Sequence, residues 1–142
     1  MAEFTPEIGL VIRHTCLWWS EARKGREDGS KDRPSVIVHL RPNAYQELET
    51  FVCPITHSPP ELPERAMEIP AATRERLRLD DERSWIVTTE VNRFIWPGPD
   101  LRQVPGGGFA YGFLPSAMTR DLISQVRRNA EDRSLLVVGR TE

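Results

Sequence analysis

The sequence predicts a mainly β (α+β) fold, a small β-barrel with one C-terminal helix, on three observations. Short runs of β-branched and aromatic residues recur along the chain, each bounded by proline, glycine or polar residues. Only the stretch from Pro115 to Asn129 carries helical spacing. The 142 residues contain no repeat or low-complexity tract, which suits a single domain over 1–142.

Taken in order, Gly9 to Trp19 is rich in β-branched and aromatic residues and lacks helical periodicity, so it reads as the first strand. Ser20 to Lys31 is polar, holds Gly25 and Gly29, and reads as a long exposed loop, a length that tends to be functional. Ser35 to Leu40 is the second strand, ended at Arg41-Pro42-Asn43. Thr50 to Ile55 is the third, where Pro54 predicts a sheet edge or a bulge near Thr56. His57 to Pro63 is a stiff, proline-rich loop, and Ala66 to Ile69 a short strand. Ala72 to Leu79 is either a short helix or a turn. Trp85 to Phe94 reads as one strand entering a turn at Trp96-Pro97-Gly98-Pro99. Gly106-Gly107-Gly108 is a joint and not a phosphate loop, since no Lys-Ser/Thr follows. Ser116 is placed to cap the helix, Leu122, Ile123 and Val126 fall on one face, and Arg127 and Arg128 complement its C-terminal dipole. Ser134 to Val138 is a final strand or an apolar tail.

Composition narrows the function. The apolar stretches fall far short of the ~18 residues of a membrane helix. The first residues lack the basic start and apolar core of a signal peptide, so the expected compartment is cytoplasmic. Cys16 and Cys53 sit within apolar strands as small hydrophobes, and with His14, His39 and His57 scattered, no metal-ligand spacing and no cofactor motif is present. The net charge of -2 is unlike that of a nonspecific nucleic-acid binder. A local basic cluster nevertheless stands at Arg23, Lys24, Arg26, Lys31 and Arg33, with acidic residues between. It reads equally as a solvated loop and as a phosphate-attracting rim. Trp18, Trp19, Trp85 and Trp96 read as core or interface residues before base-stacking platforms.

Two segments carry the chemistry: Asp32-Arg33-Pro34 opening the run Ser35 to Leu40, and Val52-Cys53-Pro54-Ile55-Thr56 closing the next. Each sets one polar residue at the end of a buried strand. A guanidinium fork and a hydroxyl fixed side by side suit the non-bridging oxygens of a phosphodiester. The pair resembles the MazF/PemK/Kid toxin family, whose members carry an R-P-x-x-[VI]-[VIL] strand followed by a [VC]-P-[IV]-T strand.

That resemblance, over roughly residues 8 to 130, implies an SH3-like barrel of the MazF/CcdB type. It also implies a toxin of a toxin-antitoxin pair: a homodimeric, metal-independent endoribonuclease that cuts single-stranded RNA through attack by the substrate's 2′-hydroxyl. Arg33 and Thr56 match the two central active-site positions. Arginine is a poor acid, so Arg33 is expected to stabilise charge, and Thr56 to orient the phosphate. The base is open between Glu90, where members with an R-x-D-Q stretch have their aspartate, and His14, which in a strand is more often a structural residue. Thr88 stands where that stretch has its arginine. His14, Lys24, Arg26, Lys31 and Thr88 complete the expected RNA surface. The implied partner besides RNA is a small cognate antitoxin with an acidic tail. The chain departs from the family's R-G-[DE]-[IV]-W start, having Ile8-Gly9-Leu10-Val11-Ile12. The competing readings are a non-enzymatic toxin like CcdB, whose Trp-Gly-Ile tail is absent from Gly139-Arg140-Thr141-Glu142, and a catalytically silent PemK-like protein.

Overall fold

β1 (Leu10–Cys16) runs antiparallel to β2 (Lys31–Pro42), and β2 to β3 (Leu48–Thr56); β2 is longer than the expected Ser35 to Leu40, with Arg41 and Pro42 still in its ladder, and the expected loop from Ser20 lies, up to residue 30, outside the described residues. The computed structural model describes residues 5–16, 31–97 and 101–139. Beyond β3 follow a 3-10 turn (Pro63–Arg65), β4 (Ala66–Glu68), α1 (Ala71–Arg76), β5 (Trp85–Val87) and β6 (Glu90–Ile95). The described chain continues with β7 (Leu101–Arg102), β8 (Ala110–Phe113), α2 (Ser116–Glu131) and β9 (Leu136–Gly139). The protein is mainly β, and its nine strands form one sheet. The main path runs β4-β5-β3-β2-β1-β7, and among the described residues no pairing joins its two ends, so the sheet is open. No helix of the described residues is long and apolar enough to cross a membrane.

Both faces of the sheet are covered. Val11, Val36, Cys53, Ile86 and Val91 pack with Leu122 of α2 and Leu77 beside α1, while Leu10, Ile12, Ile37, Val52 and Phe94 form a second cluster. Alternation along each strand makes this division, since successive side chains point to opposite faces. Cys53 lies fully buried as the small hydrophobe expected.

Trp85 to Phe94, expected as one strand, is two. Ile55 stands opposite Ile86, whereas Val52 stands opposite Asn92, three residues out of step. An odd slip exchanges the faces. It is why Ile86 and Val91, an odd number of residues apart, reach the same core cluster. The break falls at Thr88-Thr89, opposite Cys53-Pro54 of β3. Pro54 therefore lies in a central strand and not at an edge, at the point where the outer ladder changes register.

The break is pinned from the helix. The buried Asn129 donates from Nδ2 to the Thr88 carbonyl at 2.7 Å and to its hydroxyl at 3.1 Å, and the Thr88 hydroxyl donates to the Glu64 carbonyl at 2.6 Å. Helix α2 starts on Pro115 and not on a Ser116 cap, because Ser116 already occupies the first helical position. Ser134 to Val138 proves a strand: β9 adds to β6 in parallel, pairing Glu90 with Leu136. Gly9, at φ +92°, lets the chain enter β1 against α2, where a Cβ would stand 3.0 Å from the Thr119 hydroxyl.

Asn129→Ala should cost about 2–3 kcal/mol, because it strands the buried Thr88 carbonyl; equilibrium urea unfolding measures this. Acid should weaken the fold through two exposed carboxylates. A hydrogen bond from Arg83 holds Glu68 below its ordinary value, and hydrogen bonds from Ser134 do the same for Asp132. A depressed carboxylate stabilises fully above its unfolded value and loses that contribution as pH falls through its folded one. The melting temperature is thus expected to fall on acidification through the carboxylate range, with a shallower fall in Glu68→Gln.

Candidate functional site

The site is built at the end of the β1–β2–β3 ladder. His14 pairs with Arg33 across β1 and β2, and Ser35 with Pro54 across β2 and β3. The β2–β3 pairing ends at Ser35 and Pro54, two positions short of Arg33 and Thr56, and Thr56 pairs with Trp85 of β5. Arg33 and Thr56 are both half-buried. The Thr56 hydroxyl accepts the Ser58 N–H at 3.2 Å, which closes the turn out of β3.

A cleft of about 440 Å³ opens beside Arg33; Thr56 is not among the residues that line it, since Ile55 and His57, which do, alternate with it along the chain. Arg13, Arg33 and Arg78 line it together with His57, Asp80 and Tyr111, and its wall includes Ile55 and His57 on either side of Thr56. Among the described residues that line it three are arginines and one, Asp80, is acidic, so positive charge gathers there on a chain whose net charge is -2. Arg13 also stands opposite Arg102 across β1 and β7. Such a focus of fork-shaped donors favours a phosphate or another oxyanion over a neutral ligand.

Arg78 and Asp80 arrive from the far side of α1. That helix ends in a Schellman motif: the Leu79 N–H reaches the Arg74 carbonyl and the Arg78 N–H the Glu75 carbonyl. The motif's left-handed position, normally glycine, is filled by Arg78 at φ +59°. Leu77, buried just before it, anchors the segment in the core. Asp80 then turns the chain by accepting the Glu82 N–H at 3.1 Å. Its carboxylate also meets His57 Nε2, at 2.8 Å from one oxygen and 3.0 Å from the other.

His57, Asp80 and Glu82 are the one trio among the described residues whose ligating atoms lie close enough for a cation, within 4.8 Å of one another. All three are exposed, and Asp80 is already engaged by the imidazole and the Glu82 amide, so the trio reads as a hydrogen-bonded turn.

The other expected site residues fall elsewhere. Glu90 shares the sheet face of Asn92 but does not line the cleft. His14 is fully buried and stacks on Phe94, with ring centroids 4.5 Å apart. Thr88 is buried at the register break, its hydroxyl donated to the Glu64 carbonyl. Lys31 opens β2; its side chain, Lys24 and Arg26 lie outside the described residues. The residues that the sequence did not single out are Arg13, His57, Arg78, Asp80 and Tyr111. Of these only His57 carried a signal, as the neighbour of Thr56.

Compared with protein-family models, with curated proteins and with solved structures, the chain finds no match.

A left-handed arginine is kept at a cost of about 1–2 kcal/mol, and strained residues of this kind gather at functional sites. Arg78→Gly should therefore raise stability by about 1 kcal/mol in urea unfolding while weakening binding of a phosphate-bearing polymer. Unchanged polymer affinity in that variant would take Arg78 out of the site.

Proposed function

We propose that the protein is an endoribonuclease of the toxin type, acting on single-stranded RNA in the cytoplasm. The observation that carries this reading is that Arg13, Arg33 and Arg78 line one cleft at the end of the β1–β2–β3 ladder. The sheet, with α2 against one face, is read as the SH3-like barrel of the MazF/PemK/Kid type. The two Arg/Thr segments support that reading. A second copy of the chain and an antitoxin are the partners it implies.

The chemistry follows from the charges. Attack of the 2′-hydroxyl on the adjacent phosphorus yields a cyclic phosphate and a free 5′-hydroxyl, and the five-coordinate phosphorane between them carries extra negative charge on its equatorial oxygens. Arg33, fixed on a strand and always cationic, stabilises that charge more than it stabilises the ground state. Arg13 and Arg78 hold the flanking phosphates.

Incubation of the protein in EDTA with a long RNA should give discrete cuts with cyclic-phosphate ends, and Arg33→Ala should slow them at least about 100-fold. Binding of an uncleavable 2′-deoxy analogue should weaken with salt, and the slope of log affinity against log salt should fall by about 0.7 for each of Arg13→Ala and Arg78→Ala. Intact RNA would turn the reading to a CcdB-like binding toxin or a silent PemK-like protein.

A further inference from the structure

The proposed reaction lacks a base for the 2′-hydroxyl. Neither residue expected for it suits the position. Glu90 stands off the cleft, and His14 is fully buried against Phe94. We infer that His57, held by Asp80, is the general base of this site. The inference rests on the endoribonuclease reading above.

The geometry has four parts. His57 follows Thr56 directly, so its backbone is fixed by the end of β3, with neighbouring Cα atoms about 3.8 Å apart. Its imidazole lines the same cleft as Arg33. Its Nε2 lies 2.8 Å from Asp80, an acceptor, which places the proton on Nε2 and leaves the Nδ1 lone pair to take a proton. Asp80 is itself held by the Glu82 N–H. An imidazole oriented by a carboxylate that is in turn anchored is the arrangement that fixes tautomer and direction in acid–base catalysis. Among the described residues the charged and titratable groups around it are Asp80 and Glu82 on the α1–β5 turn, Arg78 on the same segment, Arg13 and Arg33 on the sheet, and Tyr111 on β8.

The step balances without a further reactant. His57 Nδ1 takes the proton from the 2′-hydroxyl, the 2′-oxygen forms a bond to phosphorus, and the bond to the 5′-oxygen breaks. That oxygen leaves with a proton from water, and the imidazolium, stabilised by Asp80, returns its proton to solvent. Asp80 is a positioning residue that never touches the RNA.

The experiment compares wild type, His57→Gln, His57→Ala and Asp80→Asn in cutting a mapped RNA across a pH series, each also titrated with an uncleavable 2′-deoxy analogue. The His57 and Asp80 side chains are 41% and 50% exposed, so these variants are expected to keep the wild-type circular dichroism spectrum and melting point. His57→Gln should lose at least about 100-fold in cutting rate with analogue affinity unchanged. It should also lose the acid limb of the rate profile, and added imidazole should restore cutting in His57→Ala. Asp80→Asn should keep an acid limb but move it.

Cutting by His57→Gln within about threefold of wild type, or with an unchanged pH profile, overturns the dyad and leaves the nuclease reading standing. Loss of analogue binding in step with cutting makes His57 a binding group and also overturns it. Wild-type cutting that stops in EDTA and returns with a divalent cation reassigns His57, Asp80 and Glu82 to a cation. No cutting by wild type under any condition overturns the dyad and the nuclease reading together.

Discussion

The structure depends on one buried polar contact, Asn129 of α2 bonded to the carbonyl and hydroxyl of Thr88. It holds the chain at the point where β5 ends and β6 starts three residues out of step. Because of that slip β3 receives two partners along one edge, β6 beside its first half and β5 beside its last two residues. β5 fixes the end of β3 at Ile55 and Thr56, and the turn that feeds β5 carries Arg78 and Asp80. An amide in the helix thus determines where two of the cleft's charged groups stand, without touching the cleft. Burying such a group is favourable only when its hydrogen bonds are made, which makes the break specific as well as stable.

How much of this the sequence reveals depends on the range of the determining interaction. β1, β2 and β3 are legible because their apolar alternation and flanking prolines are local. Thr56 ends β3 as the sequence suggests, whereas β2 runs on past Arg33 to Lys31, so Arg33 stands inside its strand. The break at Thr88 is not legible: residues 85–94 have unbroken strand character, and the hydrogen bonds that hold Thr88 come from Glu64, Arg65 and Asn129, all distant in the sequence. The same holds for His57 and Asp80, 23 residues apart with a strand and a helix between them. Ser116 misleads for a different reason. A hydroxyl residue is a good cap, but Pro115 before it is preset for the turn into the helix. Pro54 reads as a sheet edge or a bulge; the edge does not hold, since β3 is central, but the ladder does change partner and register beside it.

The cleft brings together groups that the fold supports unequally. Arg13 and Arg33 project from paired strands whose backbone positions are set by the ladder. Arg78 sits on a turn, at a backbone angle that a glycine would hold with less strain, and relies on Leu77 in the core to keep it there. His57 and Asp80 bridge the two kinds of support, one at a strand end and the other on the turn. Displacement of the turn would therefore remove a cation and release the imidazole at once, while leaving the strand-borne arginines in position.

The parallel pairing of β9 with β6 has a consequence for how the protein is made. Every other neighbour of β6 precedes it in the chain, but β9 follows only after β7, β8 and the sixteen-residue α2. During synthesis one margin of β6 therefore stays open, with its amides and carbonyls available to any extended segment nearby. A nascent chain on the ribosome can complete the hairpins of β1 to β3 early, yet it can seal this margin only once residues 136–139 have emerged. The interval between the two is the period of greatest exposure to intermolecular strand pairing.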